Sequence, residues 1–314
     1  MVQFPAGVLV MEGGAAPKDT ELPVLYQPVR NIYLASSSVM DLFLRLDALD
    51  AVTMTSTPAG NWTIPEIAEA VRRDDVLYVG KYSAPDYEVV LDMDCALAIE
   101  NTMIYHSPDT KEKLEALGIP VLVERSSYES HPLGRVEWIK LYGLLTGRLE
   151  QAEAFFDQSV RQVEQVETRD STQKTAAFFY LTAAGTVNVR KPGDYIAQMI
   201  RLAGGSYVFA EGEQDPSGAS STMNMELEAF YAGAKDSDVL IYNSTIDGGV
   251  DSMEDLLRRA PMLADFRAVQ TGNVWCTEQN MFQQVSGTAD MIADLHTIFA
   301  GAGDEPLTYL YRLE

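Results

Sequence analysis

The sequence has few basic residues and no long apolar stretch. Its 314 residues include 23 Lys and Arg against 46 Asp and Glu, which gives a formal net charge of −23 at neutral pH. A surface this acidic repels phosphate backbones, so we expect no nucleic-acid partner. The longest uncharged runs, Ala51–Pro65 and Thr175–Val189, are shorter than the roughly 20 apolar residues that a membrane helix requires. We therefore expect a soluble protein.

Cysteine and histidine are also scarce. Cys95 and Cys276 lie far apart in the sequence, so they cannot form a C-x-x-C pair, and two cysteines exclude a disulfide framework. His106, His131 and His296 show no metal-ligand spacing. The sequence therefore predicts two buried thiols and no metal site.

Motifs that would indicate catalysis are missing from the sequence. It contains no G-x-S-x-G nucleophile elbow, no phosphate-binding P-loop and no G-x-G-x-x-G that opens a helix. The start, Met1–Met11, lacks a basic n-region and a small-residue cleavage site. We expect a protein without enzymatic activity or cofactor, which is either cytoplasmic or has lost a signal segment.

Short apolar runs alternate with helical patterns in the first half of the chain. Strands are predicted at Val29–Ala35, Ala51–Thr55, Val76–Gly80, Cys95–Ile99 and Ile119–Val123. Between them, helices are predicted at Ser38–Leu46, at Pro65–Arg73, at Pro85–Leu91 and from Pro108 up to Gly118, which lies just past the end of the helix that Ser107 caps. Short connections between such elements favour a parallel sheet that is covered on both faces.

The segment from Pro132 to Asp170 has no strand-like run. Its apolar residues recur three and four positions apart, as an amphipathic helix requires, at Leu149, Ala152, Phe156, Val160 and Val163. Flexible linkers are instead rich in glycine, serine or proline. We therefore predict a stiff helical linker.

The alternation of strands and helices returns after Asp170. A hairpin is predicted at 175–189, a helix capped by Asp194 and stopped by Gly204 and Gly205, and then the elements Leu227–Ala234, Val239–Tyr242, Met253–Arg259, Val274–Thr277 and Met291–Ala300. The chain is thus divided into an N-terminal extension (1–28), an α/β lobe (29–131), the helical linker (132–170) and a second α/β lobe (171–314).

In open parallel sheets, ligands meet the loops beyond the carboxyl ends of the strands. The predicted ligand-binding residues are therefore the polar and aromatic side chains of those loops: Ser37, Trp62, Lys81, Tyr82, Glu100, Asn101, Tyr128, Asn188, Arg190, Asn243, Gln279 and Asn280. Arg190 could grip a carboxylate or form a surface salt bridge with Asp194. The serines Ser36–Ser38 could contact ligand or cap the following helix.

Five short runs, in order along the chain, carry a family resemblance. They are Tyr82–Glu88, Ser126–Arg135, Val187–Lys191, Ala203–Gly205 and Ile241–Thr245. Together they resemble ABC-transporter substrate-binding proteins of the iron-complex type, in particular the clostridial branch. The resemblance covers the chain from about Val29 onward.

The resemblance implies a class III periplasmic-binding-protein fold, in which two Rossmann-like lobes with parallel-rich sheets are joined by a rigid helical linker. It implies an extracytoplasmic, lipid-anchored or periplasmic monomer that captures a ferric siderophore or haem between its lobes and delivers it to an ABC permease and its ATPase. Alternatives are corrinoid cargo, a ligand sensor without transport and a two-lobed oxidoreductase.

Family members carry one acidic residue on each lobe that pairs with permease arginines. The matching positions are Glu88, early in the helix after Pro85, and Glu228, with Glu226 as an alternative to Glu228. The sequence departs from exported family members because it shows neither a signal segment nor a lipid-accepting cysteine near its start.

Overall fold

The computed structural model describes residues 2–3, 9–15, 17, 20, 22–169, 171–210, 221–246, 248–301 and 306–314. Contacts along the chain divide it into two compact units. Unit 1 comprises residues 1–127, 136–157 and 283–286, and unit 2 comprises residues 128–135, 158–282 and 287–314. The lobe boundaries expected from the sequence stay a prediction, and Asp170, the expected end of the linker, lies outside the described residues.

Unit 1 is built on a parallel five-stranded sheet. The strands of unit 1, in chain order, are β1 (Val2–Gln3), β2 (Leu9–Met11), β3 (Val24–Tyr26), β4 (Ile32–Leu34), β5 (Val52–Thr55), β6 (Leu77–Tyr78), β7 (Gly80–Lys81), β8 (Ala84–Pro85), β9 (Leu97–Glu100) and β10 (Val121–Val123). The central order is β10-β9-β4-β5-β6, and all four pairings are parallel. A separate small sheet has the order β1-β2-β3, and β7 pairs with β8 in a tight hairpin.

The helices up to residue 167 are α1 (Met40–Arg45), α2 (Pro65–Arg72), α3 (Tyr87–Asp92), α4 (Pro108–Ala116), α5 (Pro132–Glu137), α6 (Ile139–Thr146) and α7 (Leu149–Glu167). Both α5 and α7 contribute residues to each unit. Short 3₁₀ turns lie at Ser37–Val39, Leu49–Ala51, Ala59–Asn61, Thr102–His106, Ser126–Tyr128, Pro261–Asp265 and Val285–Gly287. Within the described ranges, no helix is both long and apolar enough to cross a membrane.

The sheet of unit 1 is buried on both faces. Successive side chains of a strand point to opposite faces. Ile32 and Leu34 accordingly belong to one core cluster, whereas Tyr33 between them belongs to another. This two-sided burial explains why the strand reads as a continuous apolar run rather than as an alternating one.

Unit 2 is built on a mixed sheet with a parallel centre. Its strands are β11 (Thr175–Leu181), β12 (Val187–Arg190), β13 (Ser206–Tyr207), β14 (Thr222–Met225), β15 (Val239–Tyr242), β16 (Val274–Thr277) and β17 (Leu310–Arg312). The order is β14-β12-β11-β15-β16-β17, with β13 beside β11. The strands β11, β15 and β16 are parallel, whereas β12, β14 and β17 run antiparallel to their neighbours.

The helices of unit 2 follow the sequence pattern closely. They are α8 (Tyr195–Leu202), α9 (Leu227–Ala234), α10 (Met253–Arg259), α11 (Arg267–Gln270) and α12 (Thr288–Ala300). The predicted cap of α8 is confirmed, because the Asp194 carboxylate accepts the Ile196 N–H at 2.9 Å. The predicted stop is also confirmed, since Gly204 adopts a positive φ of 82° just past the end of the helix.

The α/β class with parallel-rich sheets is therefore confirmed, although several short strands were not predicted. β14 reads Thr-Met-Asn-Met and is only partly buried, so it lacks the apolar run that marked the central strands. Its position in the sheet comes from pairing with β12, where Asn188 lies opposite Asn224. Such pairing with a distant partner leaves no local signal in the sequence.

Gly205 offers a test of packing in unit 2. A methyl group added at this position would lie 2.5 Å from Cε2 of Phe299, a buried core residue that has little room to move. We expect Gly205→Ala to lower the free energy of unfolding by about 1–3 kcal/mol. Gly193→Ala is the matched control, because nothing lies within 4 Å of its added methyl group. Equal thermal unfolding midpoints for the two variants would contradict this assignment.

Candidate functional site

The loops at the carboxyl edge of the unit 1 sheet are tied to one another. The Ala35 carbonyl, just after β4, accepts the Ser56 hydroxyl at 3.2 Å and the Asn101 side-chain amide at 3.2 Å. The Asn101 side-chain oxygen in turn accepts the Met103 N–H at 2.9 Å. The loops after β4, β5 and β9 therefore share one hydrogen-bonded junction, and the predicted ligand-binding residue Asn101 lies at its centre.

Glu124 closes the same edge after β10. Its carboxylate accepts the Ser36 hydroxyl at 3.1 Å and also accepts the Ser126 backbone N–H. Ser36 lies at the cap position of the following 3₁₀ turn, but its side chain accepts no capping bond from a backbone N–H of that turn, and its hydroxyl lies 3.3 Å from the Ser38 hydroxyl. The Ser36 hydroxyl is directed to Glu124, and Ser37 beside it is half-buried.

Glu100, predicted to bind ligand, is buried at the end of β9. Its residue is 0% exposed, and neither carboxylate oxygen has a hydrogen-bond partner. Burial disfavours the charged form and raises the pKa of this carboxyl group to about 8. The side chain is therefore mostly protonated at neutral pH, and its role in ligand binding stays a prediction.

This pKa generates a test through the pH dependence of stability. A glutamate in an unfolded chain has a pKa of about 4.3. At that pH, Glu100 of the folded protein is still protonated. As the pH rises from there to about 8, the free energy of unfolding should fall by up to about 1.4 kcal/mol per pH unit. Glu100→Gln should remove this part of the slope, as measured by denaturant midpoints between the two pH limits.

Two features isolate the contribution of Glu100. Asp41 is also buried, and its pKa is raised to about 7 by burial, but it titrates equally in the parent and in the variant. Glu112→Gln, at an exposed position of α4, is the control and should leave the slope unchanged. Parallel pH profiles for the parent and Glu100→Gln would show that Glu100 ionises normally.

Trp62 and Gln283 hold neighbouring parts of unit 1 together. The Trp62 indole N–H donates to the Thr57 carbonyl at 3.1 Å, and the ring belongs to the core. The Gln283 side-chain oxygen accepts the backbone N–H and the hydroxyl of Thr63, each at 2.8 Å, while its amide donates to the Asn61 carbonyl at 2.8 Å. Trp62 is therefore a buried reporter beside the loop after β5.

Asp41 connects the segment 283–286 of unit 1 to α1 of the same unit. One carboxylate oxygen accepts the Ser286 N–H at 2.8 Å, and the other has no partner. This carboxylate, on the first turn of α1, was not singled out in the sequence. No local pattern connects a residue near position 40 to one near position 286, so only the fold reveals the contact.

Lys81 is the last residue of β7, and Tyr82 lies in the turn between β7 and β8. Lys81 pairs with Ala84 in the hairpin and is exposed, whereas Tyr82 packs partly against the core cluster that contains Val90. Of these two predicted residues, Lys81 is therefore exposed and Tyr82 is half-buried.

Two large apolar side chains are exposed just after β9. Met103 is 50% exposed and Tyr105 is 49% exposed, both within the 3₁₀ turn that follows Asn101. The Arg125 guanidinium carbon lies 5.9 Å from the centre of the Tyr105 ring. Exposed apolar groups at the carboxyl edge of a sheet are suited to contact with a ligand, yet sequence reasoning missed both. The alternation of exposed and buried positions in this turn is visible only in the structure.

A second junction lies at the carboxyl ends of β15 and β16 in unit 2. The Asn243 side-chain oxygen accepts the Thr245 hydroxyl at 2.7 Å and the Thr245 N–H at 3.2 Å. The Gln279 side-chain amide donates to the Ser244 carbonyl at 2.8 Å. The sequence prediction that these two amides lie at one edge of the sheet is therefore confirmed, although each is hydrogen-bonded within the unit.

The expected location of Asn188 and Arg190 is wrong. The sequence prediction assigns both to loops beyond the carboxyl ends of parallel strands, but β12 runs antiparallel to β11, in the hairpin that the sequence also predicts. Asn188 lies within β12 and donates to the Asn224 side-chain oxygen at 2.7 Å. Arg190 ends β12 close to Phe178, in the middle of β11, rather than at the edge.

Arg190 also pairs with Asp194, at 3.7 Å, as in the salt-bridge alternative, but the pair is buried rather than at the surface, since the two side chains are 12% and 0% exposed. Its guanidinium carbon lies 5.4 Å from the ring centres of Phe178 and Phe282 and 6.0 Å from that of Tyr195. Burial raises the pKa of the Asp194 carboxyl group, while the positive charge of Arg190 opposes that shift. The remaining predicted residues of this unit, Tyr128 and Asn280, are half-buried.

Glu88 and Glu228 are exposed near the starts of helices in different units. Glu88 is the second residue of α3, whose cap is Asp86, with the Asp86 carboxylate accepting the Glu88 N–H at 3.1 Å and the Val89 N–H at 3.2 Å. Glu228 is the second residue of α9, and the alternative, Glu226, occupies its cap position without making a side-chain cap bond. All three carboxylates are solvent-accessible.

In the described ranges, no group of three or more His, Cys, Asp or Glu side chains is arranged to hold a metal ion.

The chain matches the family described as "Periplasmic binding protein" over residues 33–280, most of its length. The chain belongs to the periplasmic binding protein family. This confirms the family resemblance, whereas the clostridial branch stays a prediction.

Two similar curated proteins are uncharacterized lipoproteins of Methanocaldococcus jannaschii. One is 25% identical over 76% of this chain, and the other is 24% identical over 98% of it. The chain spans 56% of the length of the first relative and 80% of the second.

Solved structures share the fold of this family member. The periplasmic haem-binding protein HutB of Vibrio cholerae is 19% identical, with a TM-score of 0.68 over 86% of this chain and 99% of the other. A protein of an Fe3+-hydroxamate transport system from Saccharomonospora viridis is 22% identical, with a TM-score of 0.65 over 87% of this chain and 93% of the other. At these identities the likeness establishes the fold alone.

Proposed function

We propose that this periplasmic binding protein is the extracytoplasmic solute-binding component of an ABC importer and captures an iron chelate, a ferric siderophore or haem. The observation that carries the proposal is the family match over residues 33–280. Membership in a family of binding proteins also supports binding without catalysis. Corrinoid cargo and a ligand-sensing role without transport are the alternatives that the experiments below separate.

The geometry of unit 1 supports a binding role. The loops at the carboxyl edge of unit 1 are held by internal hydrogen bonds, while Met103 and Tyr105 project apolar surface from the same edge. A chelate or macrocycle offers flat apolar surface that such side chains can contact. A site whose backbone is fixed before binding loses less conformational entropy when the ligand arrives.

Ligand titrations test this proposal directly. Haemin, cobalamin, ferric citrate and ferrioxamine B should be titrated against the protein by calorimetry and by tryptophan fluorescence. We expect saturable one-to-one binding of at least one iron complex. Variants with Trp138→Phe and Trp275→Phe leave Trp62, beside the loop after β5, as the single reporter. Binding of cobalamin alone would favour the corrinoid alternative, and no binding of any probe would contradict the proposal.

We further propose that the protein is anchored outside the cytoplasmic membrane and docks on a permease through Glu88 and Glu228. The two glutamates occupy equivalent positions, because each is the exposed second residue of its helix, α3 or α9. Glu226 instead matches the cap position that Asp86 occupies in α3. This equivalence favours Glu228 over Glu226. The net charge of −23 would also draw the protein toward a basic permease face.

Double substitution tests the docking surface. Glu88→Ala with Glu228→Ala should abolish uptake of the bound ligand by host cells, because two charge contacts with the permease are lost, and should leave the ligand affinity unchanged. Glu112→Ala with Glu150→Ala removes two other exposed helical carboxylates and is the matched control. Equal uptake by the two double variants, or a loss of ligand affinity in the first, would refute the docking assignment.

A further inference from the structure

Two arginines of unit 2 lie over one tyrosine ring. The guanidinium carbon of Arg135 is 3.9 Å from the centre of the Tyr195 ring, and that of Arg190 is 6.0 Å from it. Arg135 is only 6% exposed, and the side chain of Arg190 is 12% exposed. Arg190 is fixed at the end of β12 because its backbone N–H and carbonyl both bond the Tyr207 hydroxyl, at 3.0 and 2.8 Å.

The Asp194 carboxylate lies near both positive charges. One oxygen of Asp194 caps α8 through the Ile196 N–H, and the other lies 3.7 Å from Arg190, beyond hydrogen-bond distance. Arg135 forms no ion pair with any residue that the structure describes, and its Nε has no hydrogen-bond partner. The cluster of Arg135, Arg190, Asp194 and Tyr195 therefore carries an excess of positive charge.

A buried cation without a counter-ion is energetically unfavourable. Contact with the face of an aromatic ring compensates for part of that cost, but it leaves the in-plane N–H groups of a guanidinium available as donors. Those donors match the two oxygens of a carboxylate in a bidentate arrangement. Around Arg190 the rings of Phe178 and Phe282, each at 5.4 Å, exclude water and would strengthen such a contact.

We infer that Arg135 and Arg190 form a carboxylate-binding site. The role of this site, which rests on the proposed function, is to select anionic, carboxylate-bearing chelates over neutral or cationic ones. Arg190 provides the more exposed group that a ligand meets first, and Arg135 provides the buried unpaired charge. Asp194 competes with the ligand for Arg190 and so limits the affinity of the site.

Anion binding can be measured without any iron complex. Because an anion that binds the folded state raises the unfolding temperature, citrate should raise the midpoint more than chloride does at equal ionic strength. Arg135→Met keeps an apolar side chain on Tyr195, and it should reduce the apparent citrate affinity by roughly tenfold or more. Arg201→Met, at an exposed position on α8, controls for general salt effects and should respond to citrate as the parent does.

Asp194→Asn makes the test independent of any loss of folding. Asparagine is as good a helix cap as aspartate, so α8 should keep its start. With the competing charge removed, we expect citrate to bind several-fold more tightly than to the parent. If the arginines only anchor the segment 128–135 on Tyr195, Asp194→Asn would leave citrate affinity unchanged or lower it, and the inference would be overturned.

Chelate titrations separate this inference from the proposed function. Ferric citrate carries carboxylates, whereas ferrioxamine B is a cationic hydroxamate complex without them. The inference expects Arg135→Met and the milder Arg135→Lys to weaken ferric citrate and to spare ferrioxamine B. Chelate binding that neither variant changes would overturn the inference and leave the function intact. Citrate binding that Arg135→Met abolishes, with no chelate bound at all, would support the site and refute the function.

Discussion

Burial of both faces of the parallel strands is the constraint on which the rest of the structure depends. In unit 1 the residues of β4 alternate between two core clusters, so no side chain within the strand is free to meet a ligand. The polar groups must then collect where the strands end, and parallel strands all end at the same edge. The junction around Ala35 and the Glu124 carboxylate follow from this requirement. In unit 2, a shared carboxyl edge is formed by the parallel strands β11, β15 and β16.

The same constraint explains how much could be predicted from the sequence. Strands such as Val239–Tyr242 and Val274–Thr277 were predicted with their observed bounds, because a strand that is buried on both faces appears in the sequence as an uninterrupted apolar run. The direction of Val187–Arg190 was also predicted, because the hairpin expected at 175–189 is confirmed by the antiparallel pairing of β12 with β11. The prediction of binding residues at the carboxyl edge did not take this reversal into account, and the reversal places Arg190 away from that edge. The pairing of Arg135 with Tyr195 joins distant positions, so it could not be predicted from local patterns.

The candidate site contrasts with its sequence prediction in the use of amides. Amides can recognise polar ligands, but each predicted amide already hydrogen-bonds a group of its own unit, as the contacts of Asn101, Asn188, Asn243 and Gln279 show. A ligand would have to displace these internal bonds, and it would gain little because each new bond replaces an existing one. This cost is smaller for the exposed Met103 and Tyr105 side chains of unit 1 and for Arg135 of unit 2, whose Nε has no hydrogen-bond partner. This distribution favours recognition through apolar contact and charge.

The charge of the arginine cluster is opposite to that of the protein as a whole, which bears on how an anionic ligand would bind. A net charge of −23 repels anions at long range, but salt screens exposed charges beyond about 8 Å at physiological ionic strength. Once a ligand lies within that distance, the buried guanidinium groups act through a medium of lower dielectric constant and are screened far less. The acidic surface would therefore slow the association of an anionic chelate at low salt without weakening its final contacts. Raising the salt concentration should then speed ligand association, whereas it should slow docking on a basic permease face.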